Sequence, residues 1–104
     1  MKSTKAPQLT EKQRKNLRRL GHALNPVILI GDKGLSESLI AECDSTIAHH
    51  ELIKVKARGR DKTSRDELFA KLCASVNAQL VQSVGMTALI YRPDPKQPRI
   101  DVNH

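Results

Sequence analysis

The stretch PVILIGDKGLSES, residues Pro26 to Ser38, decides the fold, because in it a short apolar run meets a Gly-x-x-Gly loop and then a helix start. Val27, Ile28, Leu29 and Ile30 are branched, continuous and too few for a helix of their own, so they read as a buried strand. Gly31-Asp32-Lys33-Gly34 breaks the run, and Ser36 is a good N-cap for the apolar-periodic segment behind it. Glycines lack a Cβ and take positive φ, so an anionic backbone can come close to this loop. Amides at the start of the following helix would face that anion, and Lys33 adds a full charge beside them. Taken alone, the pattern describes a flexible strand-to-helix turn just as well.

Outward from this stretch the chain continues in similar units. Upstream, Thr10 with Gln13 gives a capping-box signal, and Leu17, Leu20 and Leu24 recur as a narrow apolar stripe. Gly21, Asn25 and Pro26 end that helix. Downstream, a second helix is predicted from about Ser36 to His49, with Leu39, Ile40, Cys43 and Ile47 inward and Glu37, Glu42 and Asp44 outward. Leu52 to Arg58 alternates, Ile53, Val55 and Ala57 on one face and Lys54, Lys56 and Arg58 on the other, as in a strand with one wet face. Ser64 with Glu67 signals another capping box, and Leu68, Phe69, Leu72, Cys73 and Val76 mark the third helix's buried face. Leu80–Val84 and Met86–Tyr91 read as a hairpin about Gly85.

The order α-β-α-β-α-β-β predicts a single compact α/β domain over residues 9–92. Its expected architecture is a four-stranded mixed sheet packed with helices and closed by an antiparallel hairpin. Residues 1–8 are polar and lysine-containing, and are expected to be a flexible basic N-terminus. Pro93, Pro95 and Pro98 make residues 93–104 an expected flexible tail.

The 104 residues carry a formal net charge of +7, which points to polyanionic partners. Residues 1–22 hold seven Lys or Arg against Glu11, and Lys54 to Arg65 hold six against Asp61. Asp32 to Glu51 holds five acids against Lys33. Solubility alone gives no reason for such blocks. Phe69 and Tyr91 stand without any Trp, which argues against stacking of successive single-stranded bases and for contact through phosphates and shape. Cys43 and Cys73 fall on apolar helix faces and read as small buried hydrophobes, consistent with a reducing, intracellular setting. No apolar run reaches signal-peptide or membrane-span length, so no membrane partner is expected.

Candidate contacts to a polyanion follow from the charge layout. Lys12, Arg14, Lys15, Arg18 and Arg19 surround the first helix with only Glu11 opposing them, more one-signed than an ordinary solvated face. His22, at the end of that helix, suits a dipole-stabilised cap and a phosphate contact equally well. Lys54, Lys56 and Arg58 project about 7 Å apart, near the phosphate repeat of a nucleic acid. Such a row needs a counter-charge, either from acids such as Glu37 and Glu42 or from a ligand. His49-His50-Glu51 lacks H-E-x-x-H spacing and reads as a helix-end histidine pair. No nucleophile elbow, phosphate-loop lysine motif or dinucleotide fingerprint is present, so no catalytic residue, metal site or cofactor is expected.

Four spaced blocks together resemble a known family. They are Leu9-Thr10-x-Lys12-Gln13-Arg14-x-x-Leu17-Arg18-x-x-Gly21-His22-x-Leu24-x-Pro26, the Gly31–Gly34 loop with Leu35, His50-Glu51-Leu52-Ile53-Lys54-Val55-Lys56, and Leu89-Ile90-Tyr91-Arg92-Pro93. This pattern looks like the CRS1/YhbY (CRM) domain, in particular its bacterial stand-alone type, over about Leu9 to Pro93. The resemblance implies an α/β fold similar to the C-terminal domain of bacterial translation initiation factor 3. It also implies RNA binding and association with precursors of the large ribosomal subunit. In that family the Gly-x-x-Gly loop is compared with that of KH domains and assigned to RNA backbone contact, which here falls on Gly31, Asp32, Lys33 and Gly34. Asp32 departs from the pattern, standing where many relatives carry a basic or neutral residue.

The combined expectation is a monomeric, cytoplasmic, non-enzymatic RNA-binding protein that assists ribosome assembly on structured large-subunit rRNA. Two rivals remain, an adaptor whose basic faces dock acidic proteins and a nuclease using His22, His49 or Glu51, while a splicing-type cofactor like the family's multi-domain plant members is a variant of the main reading.

Overall fold

The computed structural model of the chain describes residues 8–103, and its element order is the one the sequence predicts. The helices are α1 (Glu11–Gly21), α2 (Glu37–His50) and α3 (Lys62–Val76). The strands are β1 (Pro26–Ile30), β2 (Leu52–Ala57), β3 (Gln79–Val84) and β4 (Thr87–Tyr91), arranged as one sheet in the order β1-β2-β4-β3. β1 and β2 run parallel through the α2 crossover, while β4 lies antiparallel to both β2 and β3. The sheet is therefore mixed, and the β3–β4 hairpin closes it.

Capping fixes the helix starts. The Thr10 side chain accepts from the Gln13 amide, and the Gln13 side chain accepts from the Thr10 amide. Ser36 Oγ accepts from the Leu39 amide at 3.1 Å. The third helix departs from the sequence reading, since its N-cap is Asp61 rather than Ser64. Asp61 Oδ1 accepts from the Ser64 amide at 2.8 Å, and a carboxylate is the stronger acceptor at a helix N-terminus. That bond also holds the Asp61 carboxyl below its ordinary range.

Each face of the sheet has its own core. On one face Ile28, Ile30, Ile53, Val55, Ala57, Ala88 and Ile90 pack against Cys43 and Ile47 of α2 and Phe69, Leu72, Cys73 and Val76 of α3. Burial pushes the thiols up, Cys43 to about 11 and Cys73 to about 12, so both stay protonated and pack as small apolar side chains. On the other face Leu52, Val81, Leu89 and Tyr91 pack on Leu17 of α1, with Leu24 partly buried beside them. Gly21 permits this approach, because a Cβ there would stand 2.6 Å from Leu89 Cδ2. The helix covers only part of that face. Val27 and Leu29, read from sequence as buried, are 51% and 55% exposed on the uncovered part, and Leu20 also reaches solvent.

Residues 93–103 hold no helix or strand, as three prolines lead one to expect, yet they are fastened to the domain. Glu51, fully buried at φ 68°, accepts the backbone N–H of Asp94 at 2.6 Å, Arg99 at 2.9 Å and Ile100 at 2.9 Å. Ile100 and Val102 extend the α1-side core, and Asn16 donates to the Val102 carbonyl at 3.0 Å. A composition-based reading as a flexible tail has no sight of those three amides, whose acceptor lies more than forty positions upstream. The expected flexible segment over residues 1–8 lies outside the described residues, apart from Gln8.

Glu51→Ala leaves three amides without their acceptor, so urea unfolding should show a loss of about 3 kcal/mol or more. Glu51→Gln keeps one side-chain oxygen and should lose less. A change below about 1 kcal/mol for the alanine variant would show that the carboxylate does not hold the segment.

Candidate nucleic-acid interface

Parallel pairing of β1 and β2 brings their C-terminal ends to one edge of the sheet, so the Gly31–Gly34 loop and the loop over residues 58–61 are neighbours. Within the first loop the Gly34 amide donates to the Gly31 carbonyl at 3.0 Å, closing a tight turn. Gly34 takes φ +75°, a conformation that side chains with a Cβ resist. Gly31 has ordinary φ, and a Cβ there would meet open space, so its presence leaves room above the loop.

Arg60 latches this turn from the neighbouring loop. Its Nη2 donates to the carbonyls of Gly31 at 2.9 Å and Asp32 at 3.3 Å, while Nη1 donates to the Arg58 carbonyl at 3.1 Å. Arg65 in turn donates to the Arg60 carbonyl at 2.7 Å. The Asp32 carboxylate lies over Gly59, with Oδ1 3.9 Å from where a Cβ there would stand. The acid thus faces the adjoining loop. Lys33 is exposed and, among the described residues, makes no hydrogen bond or ion pair.

Lys54 and Lys56 sit half-buried on the α1 side of β2, and Arg58 is exposed just past its end. None of the three has an acidic partner among the described residues. Glu37 and Glu42 belong to α2, which packs on the opposite face of the sheet, so they do not neutralise the row.

The cations of α1 divide into two sets. Lys12, Lys15 and Arg19 share one exposed helix face with His22, three and four positions apart. Arg14 is turned inward instead, its Nη1 donating to the carbonyls of Leu80 at 2.8 Å and Val81 at 3.4 Å. Arg18 pairs with Glu11 at 3.4 Å. His22 caps the helix by backbone, its amide bonded to the carbonyls of Arg18 and Arg19, and its exposed side chain lines a groove with Lys54. That groove joins the helix to the strand row, so Lys12, Lys15, Arg19, His22, Lys54 and Lys56 occupy one side of the sheet.

His49 and His50 lie in the exposed last turn of α2 with ring centroids 5.1 Å apart. Among the described residues no group of three or more histidine, cysteine or acidic side chains could hold a metal ion. Sequence reasoning missed Arg60 as part of the site. Its only signal was membership of the basic run Lys54 to Arg65, whereas its role comes from a loop 28 and 29 positions away.

The profile of the CRS1 / YhbY (CRM) domain matches residues 9–92. A Pseudomonas aeruginosa protein described as a probable RNA-binding protein is 42% identical over 88 residues, covering 85% of each chain. A Haemophilus influenzae RNA-binding protein is 39% identical over 85 residues, covering 82% of this chain and 86% of its own. The solution structure of a Staphylococcus aureus protein, a candidate RNA-binding protein, superposes with a TM-score of 0.73 at 36% identity, covering 82% of this chain and 88% of that one.

Arg60→Ala should release the Gly31–Gly34 turn without unfolding the domain. Hydrogen exchange at the Gly34 amide, which is bonded to the Gly31 carbonyl, is expected to quicken about tenfold, with a global stability loss under about 1.5 kcal/mol. Unchanged exchange at that amide would remove Arg60 as the latch.

Proposed function

The chain belongs to the CRS1/YhbY (CRM) domain family, and we propose that it is a non-enzymatic protein that binds structured large-subunit ribosomal RNA during ribosome assembly. One observation carries this reading. Lys54, Lys56 and Arg58 run along β2 toward the latched Gly-x-x-Gly turn that carries Lys33, and among the described residues none of the four has an acidic partner. Like charges held in a row raise the protein's own electrostatic energy, and a phosphate backbone supplies the counter-charge. The RNA-binding descriptions of the Pseudomonas and Haemophilus relatives support the same partner. Assignment to precursors of the large subunit rests on the resemblance to the bacterial stand-alone members of the family. In that role the protein acts as a cytoplasmic monomer.

Binding proceeds by electrostatic docking. The α1 stripe of Lys12, Lys15 and Arg19 and the β2 row attract and orient the backbone. The turn, with space above Gly31 and Lys33 at its tip, then takes a phosphate at close range. The energy is mostly counterion release. If about six phosphates are neutralised, log affinity should fall with log salt at a slope of about −4 to −5.

Lys33→Glu should weaken binding to ribosomal RNA about tenfold while leaving the unfolding curve unchanged, as read by fluorescence anisotropy and urea titration. Normal affinity with an intact fold would remove the loop from the site. Crosslinking in cells, read beside a sucrose gradient, tests the RNA class. Reads clustered on large-subunit rRNA, with the protein in a pre-large-subunit peak, are expected. Reads scattered over messages or tRNA, with the protein at the top of the gradient, would overturn the ribosomal assignment.

A further inference from the structure

We infer that the groove between the end of α1 and the sheet is a pocket for one unpaired nucleobase of the bound RNA, read by Gln82. This rests on the RNA-binding reading and adds recognition of a base to it. The groove encloses about 310 Å³ where α1 stops short of the β1 edge. Its lining differs in kind from the surface around it. Pro26 and Val84 give apolar walls, Lys54 is the single lysine, Thr87 and Gln82 offer neutral hydrogen-bonding groups, and His22 stands at the rim. A phosphate calls for several cations. An apolar-walled slot with a few placed donors and acceptors suits a flat heterocycle with a polar edge.

Gln82 is where it is because β3 is irregular. In an unbroken strand Val81 and Gln82 would point to opposite faces. The register slips between Leu80 and Gln82, and as a result Val81 enters the α1-side core while Gln82 lines the groove on that same face. Arg14 steadies the slip by donating to the carbonyls of Leu80 and Val81. Bulges of this kind re-aim side chains at binding sites. Among the described residues the Gln82 side-chain amide makes no hydrogen bond, so its donor and acceptor both remain for a ligand. Side by side they match a base edge bidentately, as in the pairing of Gln with adenine. The His22 ring can cover one face of a base, which is the common mode for a nucleotide splayed out of a loop or bulge. A base held in a duplex cannot present its edge to the pocket floor. The occupant is therefore an unpaired nucleotide next to the helical RNA that the cations hold.

The test uses fluorescence anisotropy on the full chain with a short RNA hairpin, either fully paired or carrying a single unpaired A, C, G or U. The unaltered protein should prefer at least one bulged hairpin over the paired one by about fivefold or more. Gln82→Ala should cut that preference to within about twofold, leaving affinity for the paired hairpin and its salt slope unchanged. Lys33→Glu should instead weaken every hairpin together. If the unaltered protein binds all the hairpins equally, or if Gln82→Ala keeps the preference or weakens all hairpins alike, the pocket is refuted and RNA binding stands. If no hairpin binds at all, the RNA-binding reading fails along with it.

Discussion

Three helices cannot cover both faces of a four-stranded sheet, and the organisation of this protein follows from that shortage. α2 and α3 fill one face with a continuous core. α1, helped by Ile100 and Val102, closes only part of the other. Along β2 the residues of that second face run from buried Leu52, beneath α1, to half-buried Lys54 and Lys56 beyond it. A strand in the middle of a sheet ordinarily carries apolar residues on both faces when both are covered. The lysines mark where cover ends. Among the described residues, no acid pairs with them.

Sidedness in charge reinforces sidedness in packing. Glu37 and Glu42 lie on α2, across the sheet from the lysine row, and Asp44 is paired there with Arg92 at 2.7 Å. Glu37 and Glu42 thus stand across the sheet from Lys54 and Lys56, a separation that, under the proposed function, favours approach of a polyanion from the α1 side. The buried Glu51 belongs to neither side. It sits at the α2–β2 corner, where its carbonyl accepts the Arg92 amide at the end of β4 and its carboxylate holds the C-terminal segment. Full use of its oxygens by backbone amides is what makes a buried carboxylate tolerable there.

Most of the architecture was legible in the sequence because local signals agreed with one another. The capping box at Thr10, the cap at Ser36 and the alternation of Ile53, Val55 and Ala57 with lysines each located an element without tertiary information. The readings that changed depended on contacts between distant segments. Val27 and Leu29 read as buried because their run is unbroken, and only the reach of α1 decides that they are not. Arg14 looked like its neighbours on the helix, yet its turn toward β3 is set by a register slip that no periodicity reveals. Arg60 and the triple use of Glu51 were invisible for the same reason.

The central claim is that RNA lies on the half-covered face of the sheet. Amide chemical shifts of the isotope-labelled protein, followed as a fragment of large-subunit rRNA is added, test it most directly. Perturbations should centre on Lys33, Gly34, Lys54, Lys56 and Thr87, with His22 and Lys15 at their margin, and should spare Glu37, Glu42 and the outer face of α3. Shifts centred on α2 and α3, with the β2 lysines unmoved, would contradict it.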